Sequence, residues 1–288
     1  MDRVCLVHAN LASGSSALLL PQGPGLLDPV ACHVHGPGAR IPGTLGRLFC
    51  QCCTLLDETE RASACRFRHA RDSLLYAAAH ALLRLALSRH HPDIHPSAWR
   101  FCRGRYGKPR LAVSRACPQG PGRLRFSLSH AWPHIAVLVT RSGHCGVDIE
   151  PSPAPAGFET MAQTVFPAEE CAELRASSSP QRHFLCLWTA REALCKALGC
   201  GFPRGFPHLL LRRNCTSFFL HGRPLPLQNL AFCTSSFVLS ACILTRNRLP
   251  GTTLQEFDLS GFDSSRNFPE DGIQCQAMQQ QVHHCSGV

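Results

Sequence analysis

The chain has almost no lysine: of 29 basic residues only Lys108 and Lys196 are lysines, and the other 27 are arginines. Ammonium and guanidinium differ in shape and in how readily they lose a proton. A chain this biased towards arginine that still uses lysine twice points to a need for a compact ammonium there, with chance as the alternative. Long apolar runs are missing as well. Ile135–Val139 and Phe237–Leu244 are among the longest, far short of the ~20 residues of a membrane-spanning helix. The apolar pattern after Met1 breaks at His8 and Asn10, so no signal peptide is read and a cytoplasmic location is expected. With 44% hydrophobic and 17% charged residues, the composition is that of a globular protein rather than a disordered one. Its 288 residues can bury a sizeable core in one large domain or two small ones.

Cysteine is abundant, with 18 residues, but the cysteines are scattered singly, as at Cys145, Cys186, Cys195 and Cys242. Without an export signal they read as reduced thiols serving as small core residues. Cys50, Cys53, Cys65 and His69 could be drawn as a zinc site, although no second C-x-x-C pair supports it. The net charge of +10 is unevenly placed. Between Arg61 and Arg125 stand 14 basic residues against Asp72 and Asp93, whereas Phe126–Cys200 holds 5 basic and 7 acidic. That asymmetry suits an anionic ligand or partner meeting the basic half, or a basic solvated face with no ligand.

Residues 1–55 are rich in Gly, Pro and Ser, and loops with short strands are expected there. Asp57-x-x-Glu60 is a capping-box start. Leu74, Ala78, Leu82, Leu85 and Ala86 then form one apolar stripe on a helix ending near His90–Pro92. Leu124, Phe126 and Leu128 alternate with Arg125, Ser127 and Ser129 as in a half-buried strand. Ile135–Val139 reads as a buried strand, and Gly146–Glu150 as a third. Pro167 opens one helix, and Gln181–Leu198 is another, stopped at Gly199–Gly205. Strands are expected at Ser217–Leu220 and Phe237–Thr245. The polar tail from about 262 reads as poorly ordered.

Asp148 and Glu150 lie two apart on a strand, so both carboxylates point to one side, with Val147 and Ile149 on the other. Two carboxylates aimed together repel unless a cation or proton lies between them, and hard oxygens suit Mg²⁺; a solvated strand end is the alternative. Trp188, Glu192 and Lys196 share one helical face, which either adds a third carboxylate to that site or is an ordinary surface Glu–Lys pair. His130, beside Ser129, could donate to a phosphate oxygen or be structural.

Taken together, Gly-Lys-Pro (107–109), Phe-Ser-Leu-Ser-His (126–130), Gly-Val-Asp-Ile-Glu (146–150) and Trp-Thr-Ala-Arg-Glu-Ala-Leu-Cys-Lys (188–196) resemble the 4'-phosphopantetheinyl transferase superfamily. The likeness is closest to the pseudo-dimeric Sfp/EntD-like type, and it runs from about Asp57 to about Thr245. The resemblance implies an α+β fold of two similar halves, each a small antiparallel sheet with a long helix, and coenzyme A in the cleft between them. The halves would be 1–135 and 136–261, followed by a disordered tail at 262–288. It implies Arg61, Arg103, Lys108, Ser129 and His130 for coenzyme A, Asp148, Glu150 and Glu192 as Mg²⁺ ligands, and Glu192 and Lys196 as catalytic residues. The implied reaction moves phosphopantetheine from coenzyme A to a serine of an acidic apo-carrier protein and releases 3',5'-ADP. The implied enzyme is a monomer that takes no nucleic acid. Position 191 is usually lysine in the family, and exchanging Arg191 for lysine is expected to be nearly silent. Two rivals remain: another metal-dependent phosphoryl-transfer enzyme, and a zinc- and nucleic-acid-binding module.

Overall fold

The structure is a computed structural model that describes residues 4–12, 43–104, 107–112, 122–200, 209–212, 217–245 and 254–256. The tail expected after 262 lies outside these residues, as do 13–42 of the N-terminal stretch. Among the described residues the helices are α1 Gly43–Leu55, α2 Glu58–Cys65, α3 Ala70–His90, α4 Phe158–Val165, α5 Ala168–Ala176 and α6 Pro180–Leu198. The strands are β1 Cys5–Asn10, β2 Phe101–Arg103, β3 Pro109–Leu111, β4 Arg125–Ala131, β5 His134–Thr140, β6 His144–Pro151, β7 Leu209–Arg212, β8 Ser217–Leu220, β9 Arg223–Pro224, β10 Leu227–Cys233, β11 Phe237–Leu244 and β12 Leu254–Glu256. The architecture is mixed α+β with several small sheets. One runs β12-β1-β5-β4, antiparallel except for β1 with β12, and another runs β10-β11-β6, antiparallel throughout.

α1 was not expected, since residues 1–55 read as loops and short strands. Its apolar positions Leu48, Cys52 and Leu55, and Phe49, Cys53 and Leu56 just past its end, recur at helical spacing and are buried. Cysteines fill two of these six positions, and the glycines around them obscure the pattern. α1 also changes the environment of α3. A single apolar stripe was expected on that helix, yet it is buried almost all round from Ser73 to Ser88, against α1, α2, β4 and β5.

α2 begins with both arms of the expected capping box: the Asp57 carboxylate accepts from the Glu60 backbone N–H, and Glu60 accepts from that of Asp57. Glu60 has a second partner. Arg84, on α3 and fully buried, donates to Glu60 and Asp57 and to the carbonyl oxygens of Pro96 and Trp99. One arginine of the basic stretch is therefore an internal tie rather than a ligand-facing charge.

The two main sheets meet face to face. Leu6, Ala136 and Leu138 of the first pack against Val147, Ile149, Leu239 and Ala241 of the second. Each sheet carries a long helix on its other side, α3 on the first and α6 on the second. β6 is thus enclosed on both faces. Its odd-numbered residues from Cys145 to Ile149 fill the junction between the sheets, leaving Gly146, Asp148 and Glu150 towards α6.

Candidate active site

Pro180 at the first turn and Gly199 at the end bound α6. Gly199 takes a left-handed conformation (φ 71°), and its N–H donates to the Cys195 carbonyl. The helix lies unusually close to β6. A Cβ on Gly146 would stand 1.9 Å from the Ala193 carbonyl oxygen and 2.5 Å from the Ala197 nitrogen, so only glycine fits there. Farther along, Thr189 and Ser240 on β11 share a 2.9 Å hydrogen bond. This seating turns the face of Trp188, Glu192 and Lys196 onto the carboxylates of β6.

Lys196 Nζ donates to Asp148 Oδ1 at 2.7 Å and to Ser129 Oγ at 2.9 Å. Ser129 Oγ donates to the same Asp148 oxygen at 2.8 Å. The lysine thus pairs across elements with Asp148 instead of forming the surface Glu192–Lys196 pair weighed from sequence. Asp148 is 4% exposed, and its second oxygen, Oδ2, is buried without a hydrogen-bond partner. Glu150 is pushed up to about 7, first by burial and then by the charge of Asp148, with Glu192 adding to the effect and Lys196 and the Trp188 side chain opposing it. Glu192 is likewise raised by burial and by Asp148, against the pull of Lys196. The three carboxylates therefore sense one another.

A pocket of about 280 Å³ opens beside this cluster, lined by Gly107, Lys108 and Pro109 of one loop, by Phe126, Ser127 and Leu128 of β4, and by Glu192, Cys195, Lys196 and Gly199. Both lysines of the chain line it. Lys108 Nζ donates to the carbonyl oxygens of Cys145 (2.9 Å) and Ala197 (3.3 Å), tying the 107–109 loop across the last turn of α6. Burial depresses its pKa, and Arg110 and Arg125 nearby add to that effect.

The other residues singled out from sequence lie elsewhere. Arg61, on α2, donates to the Leu56 carbonyl at 2.8 Å; Arg103 is an exposed residue of β2. His130, on β4, is exposed at the surface, yet enough protein surrounds it that desolvation, then His80 and then Lys196 hold its pKa below the usual histidine range.

Among the described residues no three His, Cys, Asp or Glu side chains are drawn together as a metal cage, and this includes Cys50, Cys53, Cys65 and His69. A magnesium ion does not need such a cage. It keeps several waters and binds one or two carboxylates plus substrate phosphate. An orphaned buried carboxylate oxygen beside two carboxyls raised by burial and by the charge of Asp148 is a donor set that fits a hard cation.

Two features went unread in the sequence. The serine face of β4, expected in a half-buried strand to point to solvent, is buried: Ser127 Oγ accepts the Val147 N–H at 3.0 Å, so the hydroxyl stands in for a strand partner. The serine alternation beside a buried glycine-containing strand is the signal that was available. Arg191 is the second. It is 1% exposed, and it donates to Glu170 and to the carbonyl oxygens of Leu187 and Leu209. Its guanidinium also lies 4.6 Å from the Phe166 ring centroid. Arg191→Lys, expected from sequence to be nearly silent, should instead cost about 1–3 kcal/mol, because an ammonium keeps the charge but cannot make the forked contacts of a buried pair. Thermal unfolding checks this, and a melting temperature within 1 °C of the parent would contradict it.

Comparison with known proteins bears on the same segment. Residues 144–238, from β6 to the start of β11, match the family model described as 4'-phosphopantetheinyl transferase superfamily. A Synechocystis protein, slr0495, named provisionally as a 4'-phosphopantetheinyl transferase, is 26% identical over 57% of this chain and 65% of its own length. The 4'-phosphopantetheinyl transferases AcpT of Escherichia coli and Salmonella typhimurium are 37% and 36% identical, each over 33% of this chain and 47% of their own length. The chain thus spans between about half and two thirds of the length of these relatives. The segment 144–238, over which the chain is similar to the 4'-phosphopantetheinyl transferase superfamily, is the one that supplies Asp148, Glu150, Glu192 and Lys196.

Proposed function

We propose that the protein transfers the 4'-phosphopantetheine arm of coenzyme A to a serine hydroxyl of an acidic apo-carrier protein, releasing 3',5'-ADP. The observation that carries this reading is the Lys196–Asp148–Ser129 cluster with Glu150 and Glu192, beside a pocket walled by the Gly-Lys-Pro loop. Two sheets packed face to face, each with a long helix on its outer side, support a pseudo-dimer of two halves. The division between the halves is put at the turn between β5 and β6, because the boundary at 135/136 implied by the resemblance falls inside β5 His134–Thr140, and the ligand cleft would lie where the 107–109 loop meets α6. No helix of the described residues is long and apolar enough to cross a membrane.

Asp148, Glu150 and Glu192 would hold Mg²⁺, which when bound offsets charge on the pyrophosphate. The remaining steps fall to the chain. By the resemblance, Arg61, Arg103 and His130, which stand outside the lining of the pocket, would hold the phosphates of coenzyme A. Lys108 fixes the loop that closes one wall of the pocket. The carrier hydroxyl oxygen bonds to the β-phosphorus, the bond from that phosphorus to the bridging oxygen breaks, and 3',5'-ADP leaves with the electron pair. Glu192, on the α6 face turned towards β6, takes the hydroxyl proton. Lys196 faces the charge that develops on the leaving oxygen. Incubating the chain with coenzyme A, Mg²⁺ and a panel of apo-carriers should add ~340 Da, the mass of the transferred arm, to one carrier serine, read by intact-mass spectrometry. No shift on any carrier of a broad panel would sink the proposal.

A further inference from the structure

Ser129 is where the structure departs most from what the motifs imply. The resemblance puts its hydroxyl along the coenzyme's phosphates. Here both its hydrogen-bonding roles are already taken: it donates to Asp148 Oδ1 at 2.8 Å and accepts from Lys196 Nζ at 2.9 Å. The residue is buried, and β4 fixes it from both flanks, since Leu128 pairs with Val137 and His130 with Ile135. Asp148 Oδ1 thus receives two donors, while Oδ2 is buried and receives none. A buried carboxylate oxygen without a donor is unfavourable unless something else reaches it.

We infer that Ser129 is a positioning residue: its hydroxyl, rigid on β4, holds the Asp148 carboxylate in the one orientation that leaves Oδ2 presented to a divalent cation. The inference rests on the transferase reading above. It separates the roles of two neighbours, because Lys196 also holds Oδ1 but sits on a flexible stem and is needed by the departing phosphate. Once Lys196 turns towards that phosphate, Ser129 alone keeps the carboxylate from rotating. Outer-shell partners of this kind tune metal affinity by roughly 10- to 100-fold.

The experiment is an EPR-detected Mn²⁺ titration of the full chain with saturating coenzyme A, alongside melting curves and steady-state kinetics, for Ser129→Ala, Ser129→Thr and Asp148→Asn. Ser129→Ala should weaken Mn²⁺ binding about tenfold or more and lower kcat, with the KM for coenzyme A within twofold of the parent. Ser129→Thr, which keeps the hydroxyl, should restore most of both. Asp148→Asn should lose the tight Mn²⁺ site. If Ser129→Ala binds Mn²⁺ like the parent, or raises only the KM for coenzyme A, the inference falls and the transferase reading stands. A large drop in melting temperature that Ser129→Thr does not repair marks a merely structural serine and also overturns it. If the parent binds no Mn²⁺, or Asp148→Asn binds it undiminished, the metal site of the transferase reading fails as well.

Discussion

Asp148→Asn should leave a folded protein whose transfer rate is lower by at least about a hundredfold. The amide keeps the shape of the carboxylate, and its oxygen can still accept from Ser129 and Lys196, so the packing of β6 between α6 and the sheet junction survives. What changes is Oδ2. The orphaned oxygen becomes an NH₂ group, which carries no negative charge and cannot ligate a cation. Leaving that donor buried without a partner costs about 1–3 kcal/mol of stability, enough to lower the melting point without unfolding the chain. The rate loss is the larger effect, because groups aimed at developing charge in a closed site are typically worth about 10²–10³ in rate each. Transfer kinetics with a responsive carrier, run beside thermal unfolding, test both halves of the statement. Near-parental turnover at low Mg²⁺ would remove Asp148 from the machinery.

Gly146→Ala should be more damaging to the fold than any other single methyl group near the site. The added carbon meets helix backbone, at 1.9 Å from one carbonyl oxygen and 2.5 Å from an amide nitrogen, with Lys196 Cβ at 2.9 Å. Backbone cannot rotate aside as a long side chain can. The helix must therefore lift from the strand, at a cost above the ~1–3 kcal/mol of ordinary overpacking. Lifting α6 also carries Lys196 and Glu192 away from Asp148, and a displacement of ~1 Å at a reacting centre costs about a hundredfold in rate. Expected together are a fall of 10 °C or more in melting temperature (roughly 2–4 °C per kcal/mol) and, in whatever folds, turnover reduced by about two orders of magnitude. Gly107→Ala is the contrast: a Cβ there meets nothing within 4 Å, and only its φ of +79° opposes the change, so a modest loss is expected. If Gly146→Ala melts within 2 °C of the parent, the close approach of β6 and α6 has been misread.

These two positions also show what a sequence can disclose. The alternation of Val147, Asp148, Ile149 and Glu150 was legible because a strand's period of two is rigid: the apolar pair went to the sheet junction and the acidic pair to the helix side. The helical spacing of Trp188, Glu192 and Lys196 was legible for the same reason, at a different period. Which partner each side chain chooses was not. An i,i+4 glutamate and lysine look alike on paper whether they pair with each other or reach across to Asp148, because that choice depends on how far α6 sinks onto β6, which Gly146 sets. Arg84 and Arg191 show the other limit. Composition counts them as positive surface, but each is buried against a carboxylate from a distant part of the chain, Glu60 or Glu170. No periodicity announces such a pairing. α1 was hidden for a simpler reason, since two of its core positions are cysteines, Cys52 and Cys53.

The scarcity of lysine acquires a practical meaning once the fold is known. Within these 288 residues the only two side-chain amines, Lys108 and Lys196, line the same 280 Å³ pocket. Arginine does not react with amine-selective acylating reagents under mild conditions, so the 27 guanidiniums covering the rest of the chain are silent to them. Lys108, whose proton is loosened by burial, has its nitrogen held by the carbonyl oxygens of Cys145 and Ala197. Acylation of this protein's side chains is therefore a reporter confined to one place. Its rate at Lys108 would measure how often that nitrogen leaves its two carbonyl partners, and protection at Lys196 would measure how fully a ligand fills the pocket.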